Sequence, residues 1–301
     1  MRNAVLACSI LLVVALLVEP LLSQNTLVFP GANSRETYFT IHNIRPAHAL
    51  TRGGGSKVGI LDHSFGMKVH PELYAGGDNF QVGEWGETFE CQSHHGYWMA
   101  LVLKEIAPDV EIYALNTYSA DEGKRVAAMV NAIDWAIEHE LDAITYSAGA
   151  FSPEARKLLD PAVERAVEAG IVPVFIHYPH PLNIFTSGIG PRSGDDERDP
   201  DLNIFHYDYT VVFGDQYVAY MNGDDDVARG YRPFLSISST APVTAGFVAL
   251  IRSLAPHLSP AQVKEILMDS SQPMEFQGRT GARVPDVAKA VGMLKAEVAS
   301  R

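Results

Sequence analysis

Lys57-Val58-Gly59-Ile60-Leu61-Asp62 is the stretch on which the fold turns. Its apolar residues run without alternation, the pattern of a strand buried on both faces, as in a parallel sheet covered by helices. The run ends in a carboxylate. In open α/β sheets ligands bind beyond the carboxyl ends of the strands, so Asp62 is delivered to the edge where chemistry is done.

Two further segments have the same look of a reactive residue at a backbone junction. His95-Gly96 opens a stretch in which Trp98, Met99, Leu101, Val102 and Ile106 recur at helical spacing, which places His95 at a helix start and gives Gly96 a tight turn. Ser236-Ile237-Ser238-Ser239-Thr240-Ala241-Pro242 leads into an apolar helix from Val243 to Leu254, with Ala241, Thr244, Ala245 and Gly246 small enough for close packing. Ser238 is then at a helix N-terminus, where unpaired N–H groups favour developing negative charge. A serine hydroxyl is a poor nucleophile at neutral pH. It needs an imidazole to take its proton and a carboxylate to orient that imidazole, and Asp62, His95 and Ser238 supply one of each.

The rest of the chain alternates strand and helix, which predicts an α/β fold: a three-layer, doubly wound, mainly parallel sheet with helices on both faces. Ser119 to Glu122 reads as a capping box opening a helix to about His139, with Met129, Ile133, Trp135, Ala136 and Ile137 as its apolar stripe. Asp142 to Ser147 is a strand. Ser152-Pro153 caps a helix closed by Gly170, and a strand to Ile176 follows; Ser259-Pro260 with Gln262 repeats the capping logic. Phe213-Gly214-Asp215-Gln216 reads as a hairpin turn.

In these residues the chain resembles the subtilisin-like serine endopeptidases, the subtilases, over most of its length after about residue 42. Ile44 to Leu50 with Gly53-Gly54-Gly55-Ser56 is similar to the family's opening segment, and Val58 to Asp62 with His70-Pro71-Glu72-Leu73 to its aspartate motif. His95-Gly96 matches the histidine motif, and Ser238 with Ala241-Pro242 and Ala245-Gly246 the serine motif. Ala107 to Leu115, Ala132 to Ile137 and Leu258 to Val263 fit the intervening elements. The resemblance implies a peptidase in which Asp62, His95 and Ser238 are catalytic and Ser147-Ala148-Gly149 lines the substrate cleft. Peptides or proteins are then the substrate, and no cofactor is required.

Flanking residues depart from the family pattern. His63-Ser64 stands where Ser or Thr and then Gly follow the aspartate, Tyr97-Trp98-Met99 replaces Thr-His-Val, and Val243 replaces a histidine. Bulky Tyr97 and Trp98 are expected to narrow the cleft. The oxyanion asparagine is absent after Ile171 to Ile176, where the chain reads His177-Tyr178-Pro179-His180. Losing that donor costs roughly 10²–10³ in turnover in the enzyme for which the family is named. His177 and Tyr178 are the replacement candidates beside the Ser238 N–H. The residues leave a second reading open, a catalytically impaired subtilase fold that binds peptides or a protein partner in the old cleft.

At 301 residues and 47% apolar content the chain can bury one large core. The net charge is −13, with no Lys/Arg run, so nucleic acid is excluded as an expected partner. Residues 1–23 read as a signal peptide or membrane anchor, with Arg2 ahead of the apolar stretch from Ala4 to Leu22, and 24–301 as the peptidase domain. The protein is therefore expected to be exported: secreted, periplasmic or held at a membrane by that segment. Residues 24–56 leave no room for a propeptide domain. Once Cys8 is removed Cys91 stands alone, so no intramolecular disulfide is expected. The carboxylates of 194–201 and 222–226 could hold a structural calcium ion. His94-His95 and His177 with His180 lack the company of a zinc site, so no catalytic metal is expected.

Overall fold

The computed structural model describes residues 27–28, 39–67, 70–81, 95–147, 151–176, 178–184, 210–212, 232–234, 237–276 and 279–300. The N-terminal segment 1–23, Cys91, His177, Ala148, Gly149, both acidic stretches and the turn expected at 213–216 lie outside them. After the short β1 (Leu27–Val28) come the five strands of the main sheet: β2 (Lys57–Asp62), β3 (Gly76–Asn79), β4 (Glu111–Asn116), β5 (Ala143–Tyr146) and β6 (Val172–Phe175). All pairs are parallel, in the order β3-β4-β2-β5-β6. The chain builds one flank of β2 and then the other, so the strand order reverses at β2 itself. That reversal opens a crevice at the carboxyl end of the strand that carries Asp62.

Two smaller sheets complete the strands. β7 (Thr210–Val212) pairs antiparallel with β8 (Arg232–Phe234), so its partner lies across the 213–231 connection. β9 (Gln272–Phe276) and β10 (Arg279–Val284) pair antiparallel, and β1 adds to β9.

Helices cover both faces of the main sheet. On one face lie α1 (Ile44–His48), α2 (His95–Ile106) and, further along the chain, α5 (Thr240–Leu254); on the other lie α3 (Glu122–Glu138) and α4 (Pro153–Glu168). Strand alternation divides the core accordingly. Val58, Ile60, Ile112, Ala114 and Val174 pack with Met99, Leu103 and Phe247, whereas Leu61, Leu115, Ile144 and Phe175 pack with Met129, Ile133 and Leu159. Every residue of α5 from Thr240 to Arg252 is buried, the condition of a helix threaded through a core and not laid on it.

Helix ends show which local signals are used. Ser152 accepts from Ala155 N with Pro153 following, and Ser259 forms a complete capping box with Gln262 ahead of α6 (Pro260–Ser270). The box expected at Ser119 does not form. Asp121 is the cap, its carboxylate accepting from Lys124 N at 2.9 Å, and the Glu122 side chain instead accepts Ser152 N at 3.1 Å. A charged acceptor one residue before the helix outcompetes a hydroxyl two residues further out. At the end of α4, Gly170 takes φ +92°, and its carbonyl accepts from Arg252.

The segment before α1 is fastened to α7 (Val287–Ser300): His42 Nδ1 bonds Pro285 O at 2.9 Å, Asn43 donates to Asp286 at 2.9 Å, and Val287 N donates to His42 O. His42 is fully buried, which pulls its pKa from 6.5 down to about 4 despite the Pro285 bond. Among the described residues no helix is long and apolar enough to cross a membrane.

Candidate active site

Asp62 ends β2 with its carboxylate 7% exposed and both oxygens engaged. Oδ2 lies 2.7 Å from His95 Nδ1, and Oδ1 accepts the His63 backbone N–H at 2.8 Å. A carboxylate can only accept here, so Nδ1 carries the proton and Nε2 is left as the basic nitrogen. The structure thus brings together two groups separated by 32 residues of sequence.

His95 is held by its neighbour. Gly96 N donates to His63 O at 2.8 Å, and a Cβ on Gly96 would lie 2.5 Å from that oxygen and 2.7 Å from the Phe65 ring. The glycine serves close approach of helix to strand end, not a special backbone angle as the sequence suggested. Tyr97 does not wall the cleft either. It is 2% exposed and stacks on His70 at 5.0 Å, and burial, with Glu72 adding to it, pushes its pKa up to about 12. Trp98 is partly buried against the same core.

Ser238 occupies a 3-10 turn, Ile237–Ser239, that leads directly into α5 and packs against α2. It is 7% exposed. Its hydroxyl donates to Ser147 O at 3.1 Å, and the Ser147 hydroxyl donates back to Ser238 O at 2.9 Å. Ser147 immediately follows β5, so the expected cleft strand and the Ser238 turn are joined side by side. Ala148 and Gly149 lie outside the described residues.

Of the two oxyanion candidates, His177 is outside the described residues and Tyr178 is turned to another use. Tyr178 is 1% exposed and its hydroxyl donates to Asp160 on α4 at 2.6 Å, within the core on the α3 and α4 face. Burial, reinforced by that carboxylate, holds its pKa far above the ordinary tyrosine value. Asn183, the amide nearest in sequence, is fully buried and bonded on both sides to Phe175 and to Tyr178 O.

His63 is a site residue that sequence reasoning noticed only as a departure from pattern. Its ring lies 5.8 Å from that of His95 and meets Tyr118 edge-on at 4.3 Å. Its place directly after Asp62 was the available signal. Beside the site, Asn116 pairs with Asp62 across the strands and donates to Asn79 and Gln81. Burial raises Tyr146 to about 12, with Arg125 opposing and Asp62 adding, so the phenol stays neutral. Among the described residues no group of His, Cys, Asp and Glu could hold a metal ion.

No family model matches the chain. Subtilisin DY of Bacillus licheniformis is 31% identical over 132 residues, 41% of this chain and 47% of that protein. Subtilisin E of Bacillus subtilis (strain 168) is 28% identical over 130 residues, 40% of this chain and 33% of its own length. Over these stretches the chain is similar to the subtilisins. It spans less than half the length of these curated relatives. Among solved structures, MycP1 from the ESX-1 type VII secretion system superposes with a TM-score of 0.57 at 16% identity, covering 88% of each chain. Fervidolysin from Fervidobacterium pennivorans, a keratinolytic enzyme related to subtilisin, gives 0.57 at 18% identity over 82% of this chain and 44% of that one. These likenesses establish a subtilisin-like α/β fold for this chain.

Proposed function

We propose that this protein is a subtilisin-like serine endopeptidase in which Asp62, His95 and Ser238 act together on peptide or protein substrates. The observation that carries the reading is the 2.7 Å bond between Asp62 and His95 Nδ1, which fixes the tautomer whose Nε2 can take a proton. Ser238 Oγ forms a bond to the scissile carbonyl carbon while its proton passes to His95. The imidazolium that results is balanced by Asp62. When the C–N bond breaks, His95 returns the proton to the leaving amine, and water attacks the ester by the same route in reverse. Negative charge on the carbonyl oxygen falls to the Ser238 N–H, with His177 as the further candidate donor and Tyr178 withdrawn. A site with one strong donor fewer gives a slower enzyme and not an inert one.

Export through residues 1–23 and a structural calcium ion at 194–201 or 222–226 belong to the same proposal. An acylating peptidyl phosphonate tests its core. Covalent labelling of the wild type that disappears in Ser238→Ala supports the peptidase; folded wild-type protein that takes no label refutes it.

A further inference from the structure

Ser238 and Ser147 are joined by two crossing hydrogen bonds, each hydroxyl donating to the other's carbonyl, at 3.1 and 2.9 Å, with both residues more than nine-tenths buried. The two bonds are not equivalent in use. On the peptidase reading, on which this inference rests, Ser238 has one hydroxyl proton and must give it to His95. The bond from Ser238 Oγ to Ser147 O is therefore surrendered at each turnover. The bond from Ser147 Oγ to Ser238 O involves no reacting atom and can persist throughout.

We infer that the Ser147 side chain is a positioning residue: its hydroxyl anchors the 3-10 turn through the Ser238 carbonyl, so that Oγ can swing from Ser147 O to His95 while the turn stays still. The turn is short, a single 3-10 turn of Ile237–Ser239 before α5, so a bond from the central sheet to its carbonyl weighs heavily in its placement. Ser147 comes from the end of β5, a rigid interior strand paired on both sides, and so ties the nucleophile to the same sheet that holds Asp62. Without the anchor, the carbonyl is a buried acceptor lacking this donor, and the turn relaxes toward another one. The nucleophile and its N–H shift together, and errors near 1 Å in reacting geometry cost about 10²-fold.

The experiment compares phosphonate acylation of wild type, Ser147→Ala and Ser147→Thr, with separate rate and affinity terms from the concentration dependence. Expected is a maximal labelling rate lowered about 10- to 100-fold in Ser147→Ala, an affinity term within about threefold of wild type, and recovery to within about threefold in Ser147→Thr, which keeps the hydroxyl. Urea unfolding of Ser147→Ala and Ser147→Thr accompanies it and confirms that both variants are folded when labelled. Ser147→Ala labelling at the wild-type rate overturns the inference alone, as does Ser147→Thr no better than Ser147→Ala. Wild type that folds and never labels overturns the peptidase reading and this role with it.

Discussion

On the proposed mechanism, Gly246→Ala should move His95 and Ser238 at once without touching either. A methyl on Gly246 would lie 2.5 Å from Ile106 Cγ2 and 2.6 Å from Ile106 Cβ, where ordinary contact begins near 3.4 Å. A rotamer change can withdraw Cγ2 but not Cβ, which is fixed to the backbone. The helices α2 and α5 must therefore part by roughly 1 Å, an overpacking strain that costs about 1–3 kcal/mol. Because α2 begins with His95 and α5 continues from Ser238, that separation is passed to the distance between base and nucleophile. A shift of this size predicts labelling slowed about 10²-fold. Phosphonate labelling gives the rate, and the urea midpoint gives the stability. Ile106→Ala in the Gly246→Ala background removes Cγ2 but leaves Cβ, so it restores part of both. Gly54→Ala is the control, since its Cβ would meet Asp109 Cβ at a comfortable 3.8 Å. Gly246→Ala with wild-type stability and wild-type labelling would refute the argument that this contact sets the spacing of the site.

His42, held near pKa 4 when folded against 6.5 when exposed, makes the unfolded chain bind more protons between those values. Its contribution is therefore complete above about pH 6.5 and is lost as pH falls toward 4, a change of about 3 kcal/mol that His42→Asn should remove from the pH profile of urea unfolding. A wild-type profile flat across this window would contradict the burial of a neutral imidazole. Tyr178→Phe should label within about threefold of wild type, because its hydroxyl serves Asp160 and not the oxyanion; a loss near the roughly 10²-fold expected of a missing oxyanion donor would restore it as one.

Local patterns carried a long way in this chain. The unbroken apolar run of Lys57–Asp62 predicted a strand buried on both faces, and it is the central one; Ser152-Pro153 and Ser259 with Gln262 predicted caps that form as read. Each of these is decided by groups within a few residues of one another, so their chemistry is written in adjacent letters. The failures have a common form. Ser119 and Asp121 are both good caps by type; the charged acceptor beside the helix took the role, and Glu122, which the expected box would have used, bonds Ser152 thirty residues away.

Residue types and order alone nominated Asp62, His95 and Ser238, because acyl transfer requires a carboxylate, an imidazole and an alcohol. What each side chain touches was a matter for packing. Tyr178 is a donor in composition, yet the folded chain points its hydroxyl at α4; Tyr97 is bulky, yet it fills the core against His70. The bond from Ser147 to the Ser238 carbonyl joins residues 91 apart, and no spacing rule announces a contact of that range. Sequence determines which chemistry a segment can offer, since that depends on covalent structure and local conformation. Tertiary structure decides which of those offers meet, since hydrogen bonds act over about 3 Å and only the closed fold sets distances that small between distant segments.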